Sequence, residues 1–368
     1  MTPPEEKAKA EKEAVVTELD IGKGFNATAW GLLISFIVFG IFTYAFAGDL
    51  KGAAGFSFLN QANFWVAFLF YLILFTVGFE YWPVAKLQKE KRAVVLFAMC
   101  AVAAQLTQYI LVEDHPSAIN SGSFNYYWLM ADLILILLIS LLAFEAWPVG
   151  DKPQPIKGGV ISAEMLVAAI LIYYIADHDH GWFGGTGDWM SAMWIPTLFI
   201  MIPWLLWYTF LMEFWPFDYL KQPMKGAFVT LEIAVLTFIT YAFTAIVPDN
   251  PHHFSGSEGG RASDYITFTA VWTTVLVIMI FVFEGWPIAK TRLASLVQPI
   301  RGALAFSFTV ILTGVILLIY VKAAGGTDDL VGVGGGLSVD EYVLPAVWFY
   351  VYVPSWILMI SVWLDYHA

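Results

Sequence analysis

Long apolar runs alternate with short polar segments along nearly the whole chain. Each run holds about 20 residues, the length that a helix needs to cross the hydrocarbon core of a bilayer. Because backbone polar groups must be satisfied within a segment buried in lipid, the runs predict helices. The ten predicted spans cover residues 28–47, 63–80, 93–112, 126–145, 158–176, 192–213, 226–247, 265–284, 302–322 and 345–365.

The basic residues sort to one side of this pattern. Of the 18 lysines and arginines, 15 precede the first span or follow an even-numbered one. Lysine and arginine are enriched in cytoplasmic loops, so this asymmetry orients the chain. The pattern predicts an integral protein of the cytoplasmic (plasma) membrane with both termini in the cytoplasm.

Two short phrases recur in the polar segments. The first reads FEYWPVAK, FEAWPVGD, MEFWPFDY and FEGWPIAK, and its glutamates are Glu80, Glu145, Glu213 and Glu284. The second reads QPIKG, QPMKG and QPIRG, beginning at Gln154, Gln222 and Gln298. Such a period predicts an internal repeat. The predicted fold is an all-α polytopic membrane protein with ten transmembrane helices, arranged as five tandem helical hairpins of about 65–80 residues.

The repeat also sets the predicted domain boundaries. Residues 1–24 form a charged N-terminal tail, and residues 25–368 form one membrane domain. The hairpins within it cover about 25–87, 88–152, 153–220, 221–293 and 294–368.

Composition supports the membrane interpretation and excludes other classes. Apolar residues make up 59% of the chain, charged residues make up 13%, and the mean hydropathy is +0.71. An average soluble domain is about 45–50% apolar and about 25% charged. A net charge of −12 without a basic patch excludes a nucleic-acid partner, and a single cysteine excludes a disulfide framework.

The four repeated glutamates, Glu80, Glu145, Glu213 and Glu284, have two interpretations. A carboxylate at a helix C-terminus opposes the helix dipole, so a basic partner is expected. Each glutamate would then pair with the lysine or arginine that opens the next hairpin. Alternatively, the four acids, with Asp365 as a weaker fifth, form a ring at a cytoplasmic vestibule and attract cations.

Three acids lie inside predicted spans: Asp132, Glu164 and Glu232. Acids within spans cost about 2.5–3.5 kcal/mol on insertion scales and are therefore candidates for a site. Glu164 and Glu232 both lie seven residues after the basic residue of the second phrase. They predict a site for a solute, an ion or a proton. The alternative is a neutral acid that bonds to a neighbouring helix.

Histidine and aspartate cluster in three outer loops. Imidazole and carboxylate together suit Zn, Cu, Ni or Fe, so these loops predict a divalent transition metal at the outer face. The alternatives are a solvated polar loop and a histidine pH sensor. The candidate ligands are His115, Asp177, His178, Asp179, His180, His252 and His253.

Three functions follow from these candidates. The first is a membrane transporter or channel for a small solute or cation, which uses the carboxylates within the spans. The second is a membrane metalloprotein, or a subunit of a membrane enzyme complex, with the outer His/Asp site. The third is a non-catalytic membrane scaffold subunit. No residue is assigned to catalysis, and the expected partners are the lipid bilayer and either further copies of the chain or a larger membrane complex.

Overall fold

The structure is a computed structural model, and most of its described residues are helical. It describes residues 29–35, 37, 58–108, 130, 132–176, 200–246, 262–282, 296–324 and 353–364. The helices are α1 (Phe58–Ile73), α2 (Lys89–Gln108), α3 (Ile156–Ala176), α4 (Met224–Ile246), α5 (Ala262–Val277), α6 (Ile300–Ala324) and α7 (Val353–Leu364). The prediction of a helical chain is confirmed.

Four π-helical turns in the described residues follow helical segments at corresponding positions of the repeat. These wider turns are π1 (Leu74–Gly78), π2 (Ile139–Ala143), π3 (Trp207–Leu211) and π4 (Ile278–Val282). π1 continues α1, π4 continues α5, and helical residues 132–138 and 200–206 lead into π2 and π3. Each π turn is followed directly by the phenylalanine or methionine that begins the first repeated phrase.

Within the part of the chain that the structure describes, no helix is both long enough and apolar enough to cross a bilayer. The prediction of ten transmembrane spans is therefore wrong, and so is that of an integral protein of the cytoplasmic membrane. The apolar runs divide differently from the prediction. α1 and α5 each hold 16 residues before they widen into π1 and π4, and these α-helical parts are about 24 Å long against the roughly 30 Å of a hydrocarbon core. α2 opens with the charged run KEKR.

The helices that precede the π turns form most of the buried core. Residues 64–74 of α1 and π1, 132–138, 205–211 and 270–277 consist largely of buried side chains. α1 packs on α2, and α5 packs on α6. α7 returns to pack on α1, α2 and α5, so the last described helix lies against the first two.

α3, α4 and α6 each begin against an earlier π turn. α3 packs on π1, α4 on π2 and α6 on π3. A glycine early in each helix permits this approach. A Cβ on Gly226 would lie 2.6 Å from Cδ1 of Phe144, and a Cβ on Gly158 would overlap the ring of Phe79. The glycine of the second repeated phrase is therefore a point of contact between helix and turn.

Replacement of Gly158 with alanine tests this contact against an internal control. The new methyl group must displace the Phe79 ring, and overpacking of this kind costs about 1–3 kcal/mol. A Cβ on the adjacent Gly159 would have no neighbouring atom within 4 Å, so Gly159→Ala should instead stabilise the helix by about 0.5–1 kcal/mol. Chemical denaturation of the two variants measures both effects. Equal stability of the two variants would contradict the close approach.

Candidate functional site

The first repeated phrase folds into a left-handed turn. Glu80 and Tyr81 have φ values of 48° and 63°, a region that non-glycine residues rarely occupy. The Tyr81 N–H donates to the Phe75 carbonyl at 2.8 Å, which satisfies one of the carbonyls left open where the helical segment ends. The same positive φ values recur at Glu145, Ala146, Glu213 and Phe214. A cis Trp–Pro bond follows in each turn, at Pro83, Pro148 and Pro216.

The glutamine of the second phrase joins this turn to a later helix. Nε2 of Gln154 donates to the carbonyl oxygen of Gly78 at 3.0 Å, and Gly78 is the last residue of π1. Oε1 of the same side chain accepts the N–H of Gly158 at 3.1 Å. One amide side chain therefore satisfies an acceptor at a helix C-terminus and a donor at a helix N-terminus.

The glutamine contact recurs at two further places. Gln222 donates to Ala143, the last residue of π2, and accepts from Gly226. Gln298 donates to Leu211, the last residue of π3, and accepts from Gly302.

An ion pair accompanies each glutamine. Nζ of Lys157 lies 2.6 Å from Oε1 of Glu80, and Nζ of Lys225 lies 2.7 Å from Oε2 of Glu145. Arg301 pairs in the same way with Glu213. We call each combination of glutamine, basic residue and turn glutamate a latch. The first latch contains Gln154, Lys157 and Glu80; the second contains Gln222, Lys225 and Glu145; the third contains Gln298, Arg301 and Glu213.

The ion-pair partners differ from those expected from the order of the chain. The dipole argument predicts a basic partner for each turn glutamate, and each of the three that the structure describes has one. However, the partner does not open the next hairpin. Glu80 is followed by α2, which contains Arg92, but its carboxylate pairs with Lys157 on α3. Each latch therefore passes over one hairpin, and the predicted pairing of adjacent hairpins is corrected.

Arg92 of α2 and Lys225 of the second latch each lie over an aromatic ring. The Arg92 guanidinium is 4.9 Å from the centroid of the Tyr81 ring, and Nζ of Lys225 is 4.6 Å from the Phe214 centroid. Cation–π contacts of this kind are attractive. Lys225 thereby contacts both Glu145 and Phe214, which belong to successive turns. The second turn has Ala146 at the corresponding position and offers no ring.

The turn carboxylates are thus bound internally wherever the structure describes them. Glu284 and Asp365 lie outside the described residues. The alternative interpretation, a ring of carboxylates open to cations, stays a prediction, but Glu80, Glu145 and Glu213 each carry a lysine or arginine.

The three acids within helical segments have three different environments. Asp132 is buried, with 3% of its surface exposed. Glu164 on α3 is exposed, and Glu232 on α4 is half-buried. Oε2 of Glu232 accepts a hydrogen bond of 2.7 Å from the Tyr208 hydroxyl. The predicted handling of a solute, ion or proton by these acids stays a prediction.

Tyr208 is the residue that sequence reasoning missed. It lies in π3 and is only 1% exposed. Burial raises its pKa, and the hydrogen bond to Glu232 and the charge of that carboxylate raise it further. The other turns have Phe75, Ser140 and Met279 at the same distance before their glutamates. The signal in the sequence was that only one of the four repeats has a tyrosine at this position.

The metal candidates are not brought together by anything that the structure describes. His115, Asp177, His178, Asp179, His180, His252 and His253 all lie outside the described residues. Among the residues that the structure does describe, no group of three or more His, Cys, Asp or Glu side chains could hold a metal ion. The predicted metal site at the outer loops therefore stays a prediction. Burial raises the pKa of the Cys100 thiol to about 12, so this cysteine stays protonated at neutral pH.

Comparisons with protein-family models, with curated proteins and with solved structures find no match to this chain. The function has to be argued from the contacts of the chain itself. Two sets of contacts among the described residues bear on it: the repeated latches and the pair of Tyr208 with Glu232.

The glutamine should contribute more to stability than the ion pair of the same latch. Gln154→Ala leaves the Gly78 carbonyl and the Gly158 N–H without partners, which costs about 1–3 kcal/mol when such groups are buried. Glu80→Gln removes an ion pair whose carboxylate is 57% exposed, and exposed pairs contribute about 0.2–1 kcal/mol. Denaturant unfolding measures both. The exposed Gln88 provides a control, since Gln88→Ala should change little; a larger loss from Glu80→Gln would contradict this ranking.

Glycine should be preferred over alanine at Glu145, the reverse of the preference inside a helix. Both substitutions remove the ion pair, but glycine adopts the φ of 51° without the steric cost of a Cβ, which is about 1–2 kcal/mol. Glu164 supplies the matched control, because there alanine should be more stable than glycine by about 1 kcal/mol. The same order of stability at both positions would show that the turn at Glu145 is not left-handed.

Proposed function

We propose that the protein is a non-catalytic scaffold that forms part of a larger protein assembly. The observation that carries this proposal is the latch, which recurs three times, with the same glutamine atoms in the same roles each time. In each latch the charged and amide side chains of the repeated phrases contact the chain itself. The recurring chemistry of the repeat therefore serves to position one helix against another.

The outward surfaces of α2 and of the three latched helices support the same proposal. The first turns of α2, α3, α4 and α6 contain Arg92, Lys157, Lys225 and Arg301. Ten residues after each of these basic residues, a large apolar side chain is exposed. These residues are Val102, Val167, Val235 and Ile311. Fourteen residues after the same basic residue, the exposed side chains are Leu106, Leu171, Ile239 and Val315.

The same two positions of each helix expose apolar side chains to the outside. Positions four residues apart lie on one face of a helix, so each of the four helices presents an apolar pair to the outside. Extended exposed apolar surface marks sites of interaction with another molecule. The latches would hold the faces of α3, α4 and α6 in a fixed arrangement, which is the task of a scaffold, and α2 is held by its packing on α1.

The full chain, tagged and isolated from its own cells, tests the proposal. Native mass spectrometry should find it in an assembly with a fixed ratio of at least one other protein chain. Replacement of Val102, Val167, Val235 and Ile311 with glutamine should release the chain from that assembly. Its free energy of unfolding should change little, because surface substitutions usually stay within about 0.5 kcal/mol each.

The matched control replaces exposed apolar residues outside the helix faces. Leu87, Tyr219 and Val297 are exposed and precede or follow the helices, so their glutamine variants should leave the assembly intact. A chain that is isolated alone, or an assembly that survives the fourfold substitution, would overturn the scaffold proposal.

A further inference from the structure

Glu232 differs from the turn glutamates in what it contacts. One carboxylate oxygen, Oε2, is held by the Tyr208 hydroxyl at 2.7 Å. Within the described ranges, no lysine, arginine or histidine forms an ion pair with Glu232. Its second oxygen, Oε1, accepts no hydrogen bond there either. The carboxylate is thus oriented from one side and open on the other.

The surface around Glu232 is apolar. Residues three and four positions away share its face of α4, and among them Phe228 is 40% exposed and Val235 is 48% exposed. The adjacent Leu231 is 60% exposed. The Phe228 ring stacks on Phe217 with the centroids 5.4 Å apart, so its orientation is fixed. A half-buried carboxylate therefore lies beside a fixed aromatic ring on an apolar surface.

This combination selects the chemistry of a ligand. A carboxylate removed from water is stabilised by a cation that also donates a hydrogen bond. An aromatic ring nearby attracts an ammonium group through its π face. Exposed leucine and valine side chains add apolar contact. One carboxylate and one phenol are too few oxygen ligands for Ca²⁺, which takes six to eight, or for the octahedral shell of Mg²⁺.

We propose that Glu232, Tyr208 and Phe228 form a binding site for an organic ammonium ion that carries an apolar chain. The ammonium group pairs with Oε1 of Glu232, while Tyr208 holds Oε2 and fixes the carboxylate. Phe228 lies against the ammonium group, and the apolar chain runs over Leu231 and Val235. The site shares Val235 with one apolar pair of the scaffold proposal but depends on the charge of Glu232, so either proposal can fail without the other.

The repeat supplies an internal comparison for this site. Glu164 lies at the same distance after Lys157 as Glu232 does after Lys225. It is exposed, and the residue that corresponds to Tyr208 in the preceding turn is Ser140. Among the contacts that the structure describes, Glu164 has no hydrogen bond or ion pair. The tyrosine therefore distinguishes a held carboxylate from a free one at equivalent positions.

Titration calorimetry of the purified full chain with n-hexylammonium chloride tests the site. Its neutral counterpart n-hexanol has the same apolar chain without the charge, and sodium chloride at the same ionic strength has the charge without the chain. We expect hexylammonium to bind at one site at least about tenfold more tightly than hexanol, as one charge-assisted hydrogen bond would give. Sodium should not compete beyond its effect on ionic strength.

Three variants assign the binding to these residues, and a fourth serves as the control. Glu232→Gln should weaken hexylammonium binding by about tenfold or more, and Tyr208→Phe should weaken it by a smaller factor, since only the orientation of the carboxylate is lost. Phe228→Leu alters an exposed ring, so it should leave the fold intact and still weaken binding several-fold through the lost cation–π contact. The control, Glu164→Gln, should have no effect.

The proposal would be overturned by any of three results. Equal binding of hexanol and hexylammonium would show an apolar surface without a cation site. Equal competition by sodium would show a site for inorganic cations. Unchanged binding in both Glu232→Gln and Phe228→Leu would place the ligand elsewhere. Circular dichroism of each variant shows whether the fold is retained.

Discussion

The hydrogen bonds of a repeated glutamine hold three of the described helices against earlier π turns. A π turn ends with a carbonyl that its own helix does not use, and the helix that packs on it begins with an N–H that lacks a partner. Gln154, Gln222 and Gln298 satisfy both groups at once. Because an unpaired buried amide group costs more than a surface ion pair gains, helix and turn are held in one register.

In the first two latches this register places the glycine of the second phrase directly against an aromatic ring. Gly158 and Gly226 approach the rings of Phe79 and Phe144 so closely that a Cβ would not fit. The left-handed residues of the turn place the glutamate toward the same helix, where Lys157 or Lys225 receives it. A glutamine, a glycine, a basic residue and a turn glutamate thus act together, and the recurrence of all four at fixed spacing follows from one geometry.

Glutamate serves two different purposes in this chain. Glu80, Glu145 and Glu213 are exposed and paired with long basic side chains, so they position helices. Glu232 lies on the flank of a helix, with a buried phenol on one side and apolar surface on the other. Glu164 occupies the same place in the repeat but lacks the bond to a buried phenol. The identity of one neighbour, tyrosine or serine, decides which kind of carboxylate results.

Much of this arrangement was visible in the sequence, but its most specific contacts were not. Helices, the repeat and a basic partner for each turn glutamate followed from apolar runs, spacing and the helix dipole. The partner itself did not, because adjacency along the chain favoured Arg92 where the structure has Lys157 for Glu80. The membrane spans were wrong, since an apolar run does not show where a helix widens into a π turn. Tyr208 was overlooked because a single deviation from a repeat is a weak pattern.

The skipping of one hairpin by each latch has a consequence for how the chain is made. The first latch joins Glu80 to Lys157, and the third joins Glu213 to Arg301. A nascent chain therefore holds an unpaired turn until a whole further hairpin has been synthesised. In arrays where each repeat contacts only its neighbours, units can fold one after another. Here the smallest self-contained piece spans more than two hairpins, so a growing chain has to keep its earlier turns open for later partners.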